Sequence, residues 1–152
     1  MKHKLLTLLT LTTLSLTSQA AIQNGKAYGN WQGVCENNQC GVLQTQNNTQ
    51  GEPVGQILIS KTPDNSIIAQ FTLPLGVNLL AGIGLAVDHN QIGVTPYIFC
   101  DPTGCHSILP LDLDTQNKLK AGKSLQVAAF LGESQQTLNF SLIGATDALN
   151  NL

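Results

Sequence analysis

The chain has 152 residues, of which 42% are hydrophobic and 11% are charged, and it contains seven lysines but no arginine. The charged fraction is less than half of the ~25% usual in soluble domains, and arginine is the residue that best binds phosphates, so we do not expect a nucleic-acid-binding protein. Length and apolar content also exclude an array of modules and a disordered chain. We expect one small globular domain.

The first twenty residues have the pattern of a secretory signal peptide. Residues 2–4 are basic, residues 5–16 form an apolar run, and Ser18 and Ala20 are small residues at the positions that precede a cleavage site. The alternative is a transmembrane anchor, but a run of about 12 residues falls short of the ~20 that span a bilayer. We predict cleavage after Ala20, one β-rich domain over residues 21–152 with a net charge of −4 from five lysines and nine acids, and no stable membrane span.

Strands dominate the rest of the chain. Apolar residues alternate with polar ones in several segments, most clearly at Ile67, Ala69, Phe71 and Leu73, and a period of two residues predicts a strand with one buried face. The predicted strands are 31–35, 40–46, 55–62, 66–73, 92–100, 105–109, 124–131 and 137–142. Turn-forming residues 63–65 join the third strand to the fourth as a hairpin.

Two segments have helical patterns. Asp112 or Asp114 is placed to cap a helix over residues 115–121, and Gly122 is a natural stop. Residues 145–152 form a possible C-terminal helix. Many short strands with one crossover helix predict a mainly β fold, either an antiparallel β-sandwich or a partly closed β-barrel.

The four cysteines form two closely spaced pairs. Cys35 and Cys40 enclose four residues, as do Cys100 and Cys105, and residues 101–104 read as a type I turn. An even set of cysteines in an exported chain favours disulfides, and residues that flank a tight hairpin are within disulfide reach. We predict Cys35–Cys40 and Cys100–Cys105 disulfides. The alternative is a four-cysteine zinc site, whose ligand pairs are usually closer in sequence.

Two connecting segments are unusual. Residues 47–53 are polar, contain glycine and proline, and are predicted to form a flexible loop. Residues 73–87 are nearly uncharged and apolar. They predict either two buried strand ends joined through glycine and proline turns, which we favour, or an exposed apolar contact loop.

The mature chain offers few groups for chemistry. A cysteine and histidine pair would need a free thiolate, which a disulfide removes, so His106 is interpreted as a surface residue. We therefore predict no catalytic residue, metal or cofactor. The alternative is a small exported hydrolase or metal-dependent enzyme that uses His106 with Asp101, or His89 with Asp88.

Several short motifs, taken in order along the chain, resemble the invasion-associated locus B family of Gram-negative bacteria. They are Tyr28-Gly29-x-Trp31, Pro74-Leu75-Gly76-Val77, Gly82-x-Gly84-Leu85, Cys100-Asp101-Pro102-x-Gly104-Cys105 and Leu119-Lys120-Ala121-Gly122-Lys123. The chain departs from the family pattern at Phe99, where relatives often have arginine, at Asn78, and in the loop 47–53.

The resemblance implies an exported β-domain that is periplasmic, associated with the outer envelope or secreted. The family is named for a member in a blood-borne pathogen that is linked to entry into host red cells. We expect a non-enzymatic interaction protein whose partner is another envelope protein or a host-cell surface component, with a contribution to host-cell contact, invasion and virulence. A purely structural periplasmic accessory protein is the other alternative.

Overall fold

The structure, a computed structural model, describes residues 21–152, and the predicted signal peptide and its cleavage site lie outside them. The described chain forms eleven strands and two helices. They are β1 (Ala27–Tyr28), β2 (Trp31–Glu36), β3 (Gln39–Asn47), β4 (Pro53–Lys61), β5 (Ile67–Leu73), β6 (Ile83–Val87), β7 (Asn90–Thr95), β8 (Tyr97–Asp101), β9 (Gly104–Pro110), α1 (Leu113–Ala121), β10 (Ser124–Leu131), β11 (Ser134–Ser141) and α2 (Ala145–Asn150).

The strands form two antiparallel sheets. The larger sheet has the order β1-β2-β3-β4-β5-β9-β8, and the smaller has the order β11-β10-β6-β7. Strand β11 lies over β3 and β7 lies over β9, so the inner faces of the sheets pack against each other. This confirms the predicted mainly β fold in its sandwich form. The strands of the described chain lie in two separate sheets with free edges and form no closed barrel.

The hydrophobic core lies between the sheets and follows the predicted alternation. Ala69, Phe71 and Leu73 of β5 are buried, and so are Leu125 and Val127 of β10. Their intervening neighbours point to the outer faces, as the two-residue period of a strand requires.

Both predicted disulfides are present, so the zinc alternative is wrong. Cys35 lies opposite Cys40 with 4.1 Å between their Cα atoms, and Cys100 lies opposite Cys105 at 4.0 Å. These short separations are typical of facing residues in a pair without backbone hydrogen bonds. Each disulfide therefore clamps one hairpin next to its turn.

The predicted strand over residues 92–100 is wrong, because the chain breaks at Pro96. β7 ends at Thr95 in the smaller sheet, and β8 begins at Tyr97 in the larger one. Proline has no N–H to donate to a sheet, so the chain leaves one sheet there and crosses to the other. The buried Ser107 holds this crossing, since its hydroxyl donates to the Pro96 carbonyl oxygen at 2.7 Å.

The two helices cover one end of the sandwich. The Asp112 side chain accepts a hydrogen bond from the Thr115 N–H at 2.7 Å, which shows that Asp112 caps α1. The helix begins at Leu113, two residues before the predicted start, and Leu119 buries its side chain in the core. Gly122 ends α1 at a close approach, since a Cβ there would lie 2.4 Å from Val87 Cγ1.

Four connections form the other end of the sandwich, which we call the open end: the β3–β4 loop (48–52), the β5–β6 linker (74–82), the β8–β9 turn (102–103) and the β10–β11 turn (132–133). Both views of residues 73–87 hold in part. The strand ends are buried, whereas the linker between them exposes large apolar side chains. Neither helix of residues 21–152 is long and apolar enough to cross a membrane.

Candidate functional site

The open end carries a set of exposed apolar side chains that we call the apolar rim. The Leu80 side chain is 100% exposed, and the other members are between about one third and three fifths exposed. The rim consists of Leu75, Leu79, Leu80, Phe130 and Leu131.

Hydrogen bonds join the two parts of the rim. The Asn78 N–H donates to the Phe130 carbonyl oxygen at 2.7 Å, and Val77 pairs with Leu131. The Asn78 side chain also accepts a hydrogen bond from the Leu80 N–H at 3.1 Å, which shapes the turn that presents Leu80. The linker is therefore fixed along the end of β10, beside Phe130 and Leu131.

Inside the rim, a groove opens between the two sheets. Its volume is about 220 Å³, and seven of its eight lining residues are apolar. They are Val54, Leu73, Pro74, Val127, Ala129, Leu131 and Leu138, with Gln136 as the polar member. The sheets approach closely just beyond it, because a Cβ on Gly55 would lie 2.3 Å from Leu138 Cδ1. The groove is the part of the interlayer space that the helices and loops leave open.

A second, more polar cleft adjoins the groove. It has a volume of about 230 Å³ and shares Val54, Leu73 and Pro74 with it. Its remaining lining includes Gln56, Thr72 and Thr103. Thr103 connects the cleft to a polar cluster around His106.

His106 is 5% exposed, so its interpretation as a surface residue is wrong. The Phe99 ring stacks on the imidazole with 4.5 Å between ring centroids. His106 Nδ1 lies 3.1 Å from Thr72 Oγ1, and Nε2 lies 3.2 Å from an Asp101 carboxylate oxygen. The β5–β9 pairing sets His106 opposite Thr72, which brings together residues from distant parts of the chain.

Asp101 does bind His106, but its main role in this geometry is to shape the β8–β9 turn. Its carboxylate accepts hydrogen bonds from the Thr103 hydroxyl and from the Thr103 N–H, the latter at 2.8 Å. The hydrogen bond from the Thr103 hydroxyl, followed by that from His106, lowers the pKa of Asp101 to about 2. The Asp101 side chain is therefore negatively charged at physiological pH.

This arrangement offers little for catalysis. A general base needs a ring nitrogen that reaches the substrate, and both nitrogens of the buried His106 face protein side chains. All four cysteines are in disulfides. Within residues 21–152, no group of three or more His, Cys, Asp or Glu side chains is arranged to hold a metal ion.

The second predicted pair, His89 with Asp88, forms a turn between β6 and β7 in which both residues have positive φ angles. The Asp88 carboxylate accepts hydrogen bonds from the N–H groups of Lys123 and Ser124. It therefore ties this turn to the start of β10, and it is not directed at His89.

Among the residues of the family motifs, seven are site candidates: Trp31, Pro74, Gly76, Asp101, Pro102, Gly104 and Gly122. The structure brings the five from Pro74 to Gly104 together at the open end. Gly104 allows the contact between their two loops, because a Cβ there would lie 2.4 Å from the Leu73 carbonyl oxygen. Trp31 is separate from them in the core, and Gly122 lies at the helical end.

The sequence did not reveal that Leu79, Leu80 and Phe130 share a surface. The available signal was the Leu79-Leu80 pair after Asn78, a turn-forming residue, but the position of Phe130 depends on how the linker lies on β10.

Together, the two-sheet sandwich and its two clamped hairpins define a disulfide-stabilised β-protein of the kind found in oxidising compartments outside the cytoplasm. Residues 31–152 match the family model of the invasion associated locus B (IalB) protein, and the chain belongs to that family.

The fold is similar to the crystal structure of invasion associated protein B from Bartonella henselae, with a TM-score of 0.73 and 26% sequence identity. The match covers 82% of this chain and 92% of the Bartonella chain. No curated protein sequence matches this chain.

Proposed function

We propose that this chain is an exported, non-enzymatic interaction protein that binds another protein through its open end. The observation that carries the proposal is the apolar rim, whose side chains project into solvent from a linker that hydrogen bonds fix in place. Several large apolar side chains exposed at one end of a protein are unfavourable in water, and such clusters commonly mark a contact site.

The surroundings of the rim support binding rather than chemistry. A groove next to exposed apolar residues is the form in which one protein receives an anchoring side chain of another. By contrast, His106 is packed beneath Phe99, and its hydrogen-bond partners belong to the fold. The proposal that the chain is not an enzyme rests on this contrast between an accessible apolar groove and a buried histidine.

The disulfides and the family support export, and we propose a location in the periplasm, at the outer envelope or outside the cell. The Bartonella relative is named as an invasion associated protein. By extension, we propose that the partner is a host-cell surface component or an envelope protein, and that the contact contributes to host-cell invasion.

Crosslinking pull-downs test the proposal with one variant in the rim. Wild-type protein is incubated with envelope fractions and, separately, with host-cell membranes, and the captured proteins are compared with those captured by Leu80→Asp. We expect a specific partner whose capture is lost in Leu80→Asp, because a charge at the centre of an apolar interface must be desolvated without a partner.

Leu113→Asp is the matched control. Leu113 is also an exposed leucine, but it lies at the start of α1, at the opposite end of the sandwich. It should capture the same partner as the wild type. A partner that Leu80→Asp still captures would place the interface elsewhere, and no capture from either source would favour a structural accessory role.

A further inference from the structure

We propose that the open end binds a basic amphipathic peptide segment of its partner, in which apolar side chains enter the groove and flanking lysines or arginines face the acidic loops. This inference rests on the proposed function and names the chemistry of the partner.

The apolar half of the proposal follows from the shape of the open end. The groove lies between the two sheets near the ends of β4, β5 and β10, and the apolar rim continues outward from it along the linker and the end of β10. An apolar groove beside exposed leucines fits an amphipathic segment, which presents its apolar residues along one side.

The basic half follows from the charges around the groove. The charged residues at the open end are acids: Glu52 precedes Pro53, Glu133 follows Gly132 in the β10–β11 turn, and Asp101 ends β8 next to the β8–β9 turn. Glu52 and Glu133 are exposed, and the Asp101 side chain is 41% exposed. A cationic partner would meet three negative charges at this end of the protein.

The five lysines of the described chain lie elsewhere. Lys26 precedes β1, the outermost strand of the larger sheet, three strands away from β4. Lys61 ends β4, which begins at the open end with Pro53, and eight residue steps along a strand span roughly 26 Å. Lys118, Lys120 and Lys123 lie in or next to α1, at the helical end. Since charges are screened over about 10 Å at 0.1 M salt, these lysines do not neutralise the open end.

The same charges argue against a membrane surface as the occupant. Bacterial and cytoplasmic leaflet surfaces rich in anionic lipid repel acidic loops and attract lysine clusters, and the lysines are at the wrong end for such a contact. A basic amphipathic peptide can place apolar side chains in the groove and positive charges next to the acidic loops at the same time.

A fluorescent amphipathic peptide of leucine and lysine tests this inference directly, with a peptide of the same pattern in which glutamate replaces lysine as the comparison. Fluorescence anisotropy at low salt should show about tenfold tighter binding of the lysine peptide, and added salt should reduce the difference. Glu133→Lys should weaken binding of the lysine peptide several-fold. Glu36→Lys makes the same charge change at the distant β2–β3 turn and should leave binding unchanged.

Equal binding of the two peptides, or an equal effect of Glu133→Lys and Glu36→Lys, would overturn the inference. So would a failure of both peptides to bind, or co-sedimentation of the protein itself, without peptide, with vesicles of anionic phospholipid. The proposed function would survive each of these results if capture of a partner still depended on Leu80, so the two proposals fail separately.

Discussion

The hydroxyl group of Tyr97 is buried and has no hydrogen-bond partner. Burial raises the pKa of Tyr97 from 10.0 to about 12, because the negatively charged form loses its hydration. The unfolded chain therefore releases this proton first as pH rises. Stability that is present below about pH 10 should be lost progressively between about pH 10 and 12.

We expect Tyr97→Phe to reduce this alkaline loss of stability. At neutral pH the variant should be at least as stable as the wild type, since the orphaned hydroxyl is removed. Urea unfolding near neutral pH and in the alkaline range measures both effects. An unchanged alkaline loss in the variant would show that Tyr97 does not cause it.

Trp31 is the other residue with a buried, unpartnered polar atom, its indole N–H. The side chain is 1% exposed and belongs to the core. Trp31→Ala should lower the free energy of unfolding by about 3–5 kcal/mol, as for other large aromatic truncations, and Trp31→Phe should cost less. Circular dichroism must follow unfolding, because this is the only tryptophan. A near-neutral effect of Trp31→Ala would contradict its place in the core.

At the scale of elements, the β1–β2 turn and the start of α2 meet backbone to backbone. A Cβ on Gly144 would lie 2.1 Å from the Tyr28 carbonyl oxygen, and one on Gly29 would lie 2.4 Å from the Ile143 carbonyl oxygen. Gly144 also has a φ of 89°, which favours glycine. Glycine at both positions lets α2 pack on the edge of the larger sheet.

Gly144→Ala should therefore destabilise the protein by more than the about 1–2 kcal/mol of left-handed backbone strain alone, because the clash with Tyr28 adds to it. Gly51→Ala separates the two effects, since Gly51 has a φ of 85° and a Cβ there would meet no other atom within 4 Å. Chemical denaturation of both variants gives the difference. Equal losses would mean that the close contact contributes nothing.

Elements with strong local signals were predictable. The two cysteine-clamped hairpins, the hairpin around residues 63–65 and the presence of α1 depend on residues only a few positions apart. The break at Pro96 was missed because residues 92–100 are apolar on both sides of it. Periodicity shows that a segment is a strand, but it does not show which sheet the strand joins.

At the scale of the whole molecule, export is the property that every other proposal requires. We expect cleavage after Ala20, so that the protein recovered from the cell envelope or the medium begins with Ala21. N-terminal sequencing of that protein identifies the cleavage position, and cell fractionation identifies its location. A chain that keeps Lys2 and Lys4 in the cytoplasm would contradict export and remove the reason for its disulfides.

The amino-acid sequence by itself determined most of the strands, the disulfide partners and the presence of α1, because each depends on interactions between near neighbours in the chain. Only the tertiary structure decided that His106 is buried beneath Phe99 beside Thr72, and that the linker of residues 74–82 lies along β10 to form the apolar rim. These contacts join residues that are far apart in sequence, so they depend on strand register and sheet packing, which local patterns do not specify.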